Sequence, residues 1–273
     1  MATVTMYVNT DNVGTQDGTT VATGYDDLLA ALQSLTSGNA GDDLTIKCSG
    51  ATADTVPYAR FGGGGFNLNT LTIEANRDEA DGFYGGTDLV STSHYRLQPG
   101  NDPRNLYLFD VTTAITVDGI QIVNDYNGAP SNFTFGAYLI ADSGADVVVQ
   151  NCRFVAPLLK GEFGIWVGGN WDSVTIENNI VSGFLDDQIR VTRNNTTGTG
   201  VVDIFSNSLY DGTNGIYYSD SSSGDGTTVT IQGNAIAFDT NYINDQSANT
   251  STTFTYGDNA TDDTPETGDI DIG

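Results

Sequence analysis

A five-residue pattern, apolar–polar–apolar–polar–small, recurs along this chain at nearly constant spacing. It reads "LTIKC" from 44, "LTIEA" from 71, "ITVDG" from 115, "VVVQN" from 147, "VTIEN" from 174, "VDIFS" from 202 and "VTIQG" from 229. Successive starts lie 27, 44, 32, 27, 28 and 27 residues apart, a period near 27 with two insertions. Alternation with period two is the mark of a half-buried strand, and self-similarity at a fixed long period is the mark of a coil that stacks on copies of itself. One such coil cannot bury its own apolar face. Stacking coils about 4.8 Å apart builds parallel sheets around one continuous core.

A second strand advances with the first: "AYLIA" from 137, "GIWVG" from 164, "QIRVT" from 188, "GIYYS" from 215 and "NYIND" from 241. On these two strand series the chain resembles the right-handed parallel β-helix of the pectin-lyase-like superfamily over roughly residues 40–257. The resemblance implies an all-β fold of about eight coils. A β-sandwich, the alternative architecture, would not hold so constant a period. Small residues or Asn close the first strand (Cys48, Ala75, Gly119, Asn151, Asn178, Ser206 and Gly233), where an inward turn needs little bulk and stacked amides can bond along a column.

Residues 24–35, "GYDDLLAALQSL", place Tyr25, Leu28, Leu29, Leu32 and Leu35 at helical spacing, which predicts a short helix over the open end of the stack. The expected organisation is therefore an N-terminal strand and capping helix over 1–40, the β-helix over 41–257 and an acidic tail over 258–273. The insertions at about 76–105 and 124–135 are expected to project as loops.

With 9 Lys+Arg against 35 Asp+Glu, a net charge of -26, the chain lacks the basic clusters that phosphate backbones require, so nucleic acid is not an expected partner. No stretch reaches the length needed to cross a membrane, and the start "MATVTMYVNT" carries neither a basic segment nor an apolar run of a secretory signal. The two cysteines, Cys48 and Cys152, fall three coils apart, about 14 Å along the axis, whereas a disulfide needs Cα atoms within about 7 Å. They are expected to stay unpaired and buried.

For chemistry, the superfamily resemblance implies polysaccharide cleavage or binding, but its motifs match this chain poorly. A polygalacturonase-like site would need a Gly-His and an Arg-x-Lys motif. The single histidine, His94, has no Gly before it, and "LDDQIRVTR" lacks the lysine. No catalytic residue, metal ligand or cofactor is assigned. Calcium in an Asp-rich loop such as "SDSSSGDG" has no supporting motif. A threonine column (Thr45, Thr72, Thr116, Thr175, Thr230) resembles that of ice-binding β-helices, but Val148 and Asp203 interrupt it and charged residues flank it.

The second strand is more informative. With Ile165, Val167, Ile189, Val191 and Ile216 turned inward, its outward column reads Leu139, Trp166, Arg190, Tyr217 and Ile243. Trp166, Arg190 and Tyr217 are expected to stack, with the guanidinium between two rings. Glu162, Asp186 and Asp187 are placed in the loops before these strands, with Asp186 and Asp187 diverging as sequence neighbours. A working carboxylate pair would join one of them to Glu162 or Glu177, and Lys160, Arg190 and Arg193 are the nearby bases. The carbohydrate- or partner-binding residues expected are Trp166, Arg190, Tyr217, Glu162, Asp186 and Asp187. The functional expectation is a structural or adhesive virion component (a phage or virus spike, fibre or decoration protein) assembled in the host cytoplasm. Its expected partners are other copies of itself, as a trimer, capsid or tail proteins, and polysaccharide. The alternative is a polysaccharide lyase or glycoside hydrolase, exported by a non-Sec route.

Overall fold

The computed structural model describes residues 2–261 apart from 13, 36–38, 57–58, 62–67, 87, 101, 112–113, 129–133, 142–143, 160, 195–198, 222–225, 238–240, 248–250 and 258. The acidic tail beyond 261 lies outside the described residues.

The recurring pattern forms the first face of a parallel β-helix. Nine strands stack in chain order: Thr3–Asn9, Asp43–Ser49, Thr70–Ala75, Ala114–Asp118, Asp146–Gln150, Ser173–Glu177, Val201–Phe205, Thr228–Gln232 and Thr253–Gly257. Every neighbouring pair is parallel, with Leu44 on Leu71, Leu71 on Ile115, Val147 on Val174 and Val202 on Val229. Two inward columns follow, one through Leu44, Leu71, Ile115 and Val174 and the other through Ile46, Ile73, Val117 and Ile176, all buried. Each aliphatic side chain withdrawn from water in this way contributes about 1.5–3 kcal/mol.

The second face has eight short strands, among them Gln121–Val123, Arg153–Val155, Ile180–Ser182 and Ser208–Tyr210. The third has seven: Ala59–Phe61, Arg104–Val111, Phe135–Ala141, Gly161–Gly169, Phe184–Arg193, Asn214–Asp220 and Asn241–Asp245. The regular stack makes about six full turns, somewhat fewer than the eight expected.

Two residues join first face to second in each coil from Gly119 to Gly233, and the first of them adopts a left-handed backbone: Gly119 (φ 73), Asn151 (55), Asn178 (56), Ser206 (58) and Gly233 (62). Glycine and asparagine tolerate that conformation best. The residue after each of these positions is buried, and from Asn179 onward it carries the principal amide ladder, one place along from the column read in the sequence. Asn179 Nδ2 donates to Asn207 Oδ1, Asn207 to Asn234 and Asn234 to Asn259, at 3.0, 3.0 and 2.9 Å. The backbone N–H groups of Asn179 and Asn207 donate to the same oxygens. A shorter ladder runs outside it, from Asn178 to Asn151 to the Asp118 carboxylate.

The N-terminal helix spans Leu28–Gln33, with Leu28, Ala31 and Leu32 buried against the first coils. Asp27 caps it by accepting from the Ala30 N–H, and the Leu28 N–H is donated to the buried Asp54 carboxylate at 2.8 Å. Asp54 also accepts from the Tyr95 hydroxyl at 3.0 Å, and burial pushes its carboxyl up to about 6.

The first insertion does not project. Residues 76–86 and 88–95 fold back along the stack: Tyr95 is fully buried, Arg77 lies over the Phe83 ring, and Arg153 packs on Tyr84 while donating to the Asp88 and Gly86 carbonyls. Its aromatic residues gain more by covering the second-face corner than by standing in water. Residues 129–133 of the second insertion lie outside the described residues. Cys48 and Cys152 are free and buried, as expected from their spacing, and burial pushes the Cys152 thiol up to about 12.

Candidate partner-binding face

The outward column of the third face is longer and more aromatic than the sequence reading had it. Strand register places Tyr107, Tyr138, Trp166, Arg190, Tyr217 and Asn244 one above another. Leu139 and Ile243, expected in this column, instead point inward and are 0% and 7% exposed. The correction is one residue of register. Ala137 pairs with Ile165, 28 residues on, not with Gly164, and a single-residue slip moves every side chain to the opposite face of a strand.

The rings of Tyr107 and Tyr138 stack at 5.4 Å, and those of Tyr138 and Trp166 at 4.0 Å, each pair tilted by 14°. The Arg190 guanidinium carbon lies 5.4 Å from the Trp166 ring centroid and 4.5 Å from that of Tyr217, the sandwich the sequence predicts. Phe163, buried on the same strand as Trp166, approaches Arg190 at 4.1 Å and meets Trp166 edge-on. Trp166 Nε1 donates to Thr192 Oγ1 at 3.2 Å, which fixes the indole. Burial, with Tyr107 beside it, pushes the Tyr138 hydroxyl up to about 12.

The carboxylates sit within the strands themselves, not in loops before them. A register shift between Gly161 and Phe163 adds a residue to the facing strand there. Asp187 is fully buried and accepts from Arg190 Nε and, at 2.7 Å, from Asn214 Nδ2. Burial raises its carboxyl, and Arg190 opposes that rise. Asp186 is exposed, so the two neighbours do diverge. Glu162 is 8% exposed and its Oε2 has no hydrogen-bond partner. Burial raises its carboxyl, the Asp186 charge adds to the rise, and Arg190 opposes it.

Two other expected neighbours lie elsewhere. Glu177 stands on the first face, between Gln150 and Phe205. Arg193 shares the inward parity of Ile189 and Val191, and its charge is kept inside. Its Nη1 donates to Thr227 Oγ1, which donates to Asp220, and the guanidinium lies 5.3 Å from the Trp171 ring. Lys160 is outside the described residues. Tyr107, Tyr138 and Phe163 were missed by the sequence reading, although an aromatic residue in successive third-face strands was a visible signal.

Because the rings stack on one another, their faces are largely spent within the column. What remains toward solvent is ring edges, which carry partial positive charge, and the rim of one guanidinium. Such a surface complements oxygen acceptors. Among the described residues no group of three or more His, Cys, Asp and Glu comes together as a metal centre would require. Comparison with protein-family models, curated proteins and solved structures found no match to the chain.

Proposed function

We propose that this chain is a structural or adhesive component of a virus particle, a spike, fibre or decoration protein. It would contact a host-surface glycan or a capsid partner through the third-face column. The observation that carries the reading is the continuous, half-buried stack from Tyr107 to Tyr217, rigid on its scaffold and presenting donors and ring edges to an oxygen-rich partner. Its one guanidinium is held in place by Asp187, so little side-chain entropy remains to be lost on contact. A glycan array probed with the wild type and with the Trp166→Ala/Tyr217→Ala double variant tests the contact. Loss of about 1–3 kcal/mol in binding is expected, and undiminished binding removes the reading. The particle itself is tested by mass spectrometry of purified virions, and the expected homotrimer by sedimentation.

A second reading, polysaccharide cleavage, is favoured by one observation. Glu162 is a buried carboxyl with an unpaired oxygen, raised beside Asp186, and a raised carboxyl is what a general acid needs. Polymer degradation by the wild type that Glu162→Gln abolishes would favour it over adhesion alone.

A further inference from the structure

Phe83, Tyr84 and Gly85 of the fold-back form one side of a half-open cavity against the corner between the first two faces. The resulting cavity is about 400 Å³, within the range of small-ligand sites. One wall carries the rings of Phe83 and Tyr84, and the other carries Asn178, Ile180 and Ser208. Asn178 spends Nδ2 on Asn151 and leaves Oδ1 as an exposed acceptor.

Arg153 lines the same space. It is 8% exposed, and its two terminal nitrogens donate to the carbonyls of Asp88 and Gly86 while the guanidinium lies 4.6 Å from the Tyr84 ring centroid. Those bonds leave N–H donors to spare. Among the described residues no carboxylate pairs with it, and none lines the cavity. In a chain with 35 acidic residues against 9 basic ones, this cation is nine-tenths withdrawn from water, and two carbonyls and a ring soften its charge without neutralising it as a carboxylate would.

We infer that this cavity binds a small organic carboxylate about one ring in size. The carboxylate meets the spare donors of Arg153, the planar fork best suited to it. The ring packs against Ile180, and a hydroxyl on the ligand is placed to donate to Asn178 Oδ1. The net charge of -26 repels anions at long range, so selectivity arises from contacts inside the cavity and affinity is modest.

Calorimetric titration of the full chain with glucuronate, benzoate and, as an uncharged probe, methyl glucoside tests this. At least one carboxylate is expected to bind at millimolar concentration, and methyl glucoside about tenfold or more weaker. Ile180→Phe fills the cavity without removing an Arg153 hydrogen bond and should weaken carboxylate binding by a similar factor. Trp166→Ala, on the other face, should leave it unchanged, so the outcome is independent of the third-face reading. Failure of both carboxylates to bind, equal binding of the neutral glucoside, or a folded Ile180→Phe protein that binds as wild type would each overturn the inference.

Discussion

Arg190 donates Nε to the fully buried carboxylate of Asp187, while its guanidinium carbon sits 4.5 Å from the ring centroid of Tyr217 on the outer surface. One side chain thus neutralises an interior charge and separates two rings of the outer stack. The interior and the proposed contact surface are coupled through it.

Replacing Arg190 by Met keeps the apolar stem but leaves Asp187 with only Asn214 as a side-chain donor. A buried carboxylate stripped of its cation is costly, and the side chain of Arg190 is 22% exposed, which lessens the loss relative to a fully enclosed pair. Urea denaturation should show a decrease of about 2–3 kcal/mol.

The inner amide ladder should be far more sensitive than the outer one. Asn207→Ala leaves the Asn179 N–H and amide, the Ile176 carbonyl and the Asn234 amide oxygen short of partners in the core, a cost of about 3 kcal/mol or more. Asn178→Gly removes an exposed amide and suits the left-handed backbone, so it should cost under about 1 kcal/mol. Equal losses in thermal unfolding would contradict this assignment of the two ladders.

The N-terminal cap should respond to pH through Asp54. Its folded value of about 6 lies above the ordinary 3.8, so the folded state holds the proton more tightly than the unfolded chain does. This contribution is full below about pH 4 and is lost as pH rises through 6, amounting to about 1–3 kcal/mol. Asp54→Asn removes the titration. Wild type should therefore lose stability relative to the variant as pH rises across that window, and a flat difference would exclude the effect.

Gly169 has a left-handed φ of 105, and a Cβ there would strike the Ala141 carbonyl oxygen of the coil before. Both are backbone constraints that no rotamer relieves. Gly169→Ala should cost about 3 kcal/mol or more, read from the chemical-denaturation midpoint.

The first face was legible because its outward residues are mostly polar (Val148 and Phe205 excepted) and its inward ones are mostly Leu, Ile and Val, so only one register hides the apolar set. The third face was ambiguous where "AYLIA" offers apolar side chains at both parities, and Leu139 was therefore read one place out. The inner ladder left a trace in Asn179, Asn207, Asn234 and Asn259, spaced 28, 27 and 25 residues apart. Side-chain parity alone could not say that these, and not Asn151 and Asn178, face the core. The fold-back of 76–95 had no periodic signature at all, since it depends on where Arg153 emerges two coils later. The inward course of Arg193 was hidden for a similar reason, because its partners Thr227 and Asp220 lie some 30 residues further along the chain.

The two-residue corner between first and second faces has a consequence for how such a protein can change length. Once the ladder begins, each rung must follow the last at that corner, so an added residue there would break a hydrogen-bonded column that runs to Asn259. Among the described residues the other two corners carry no such column, and their connections already vary, from one residue between Ser182 and Phe184 to eleven between Val123 and Phe135. Insertions and grafted loops should therefore be tolerated at those corners. The amide corner acts as the fixed spine about which the rest of each coil is free to diverge.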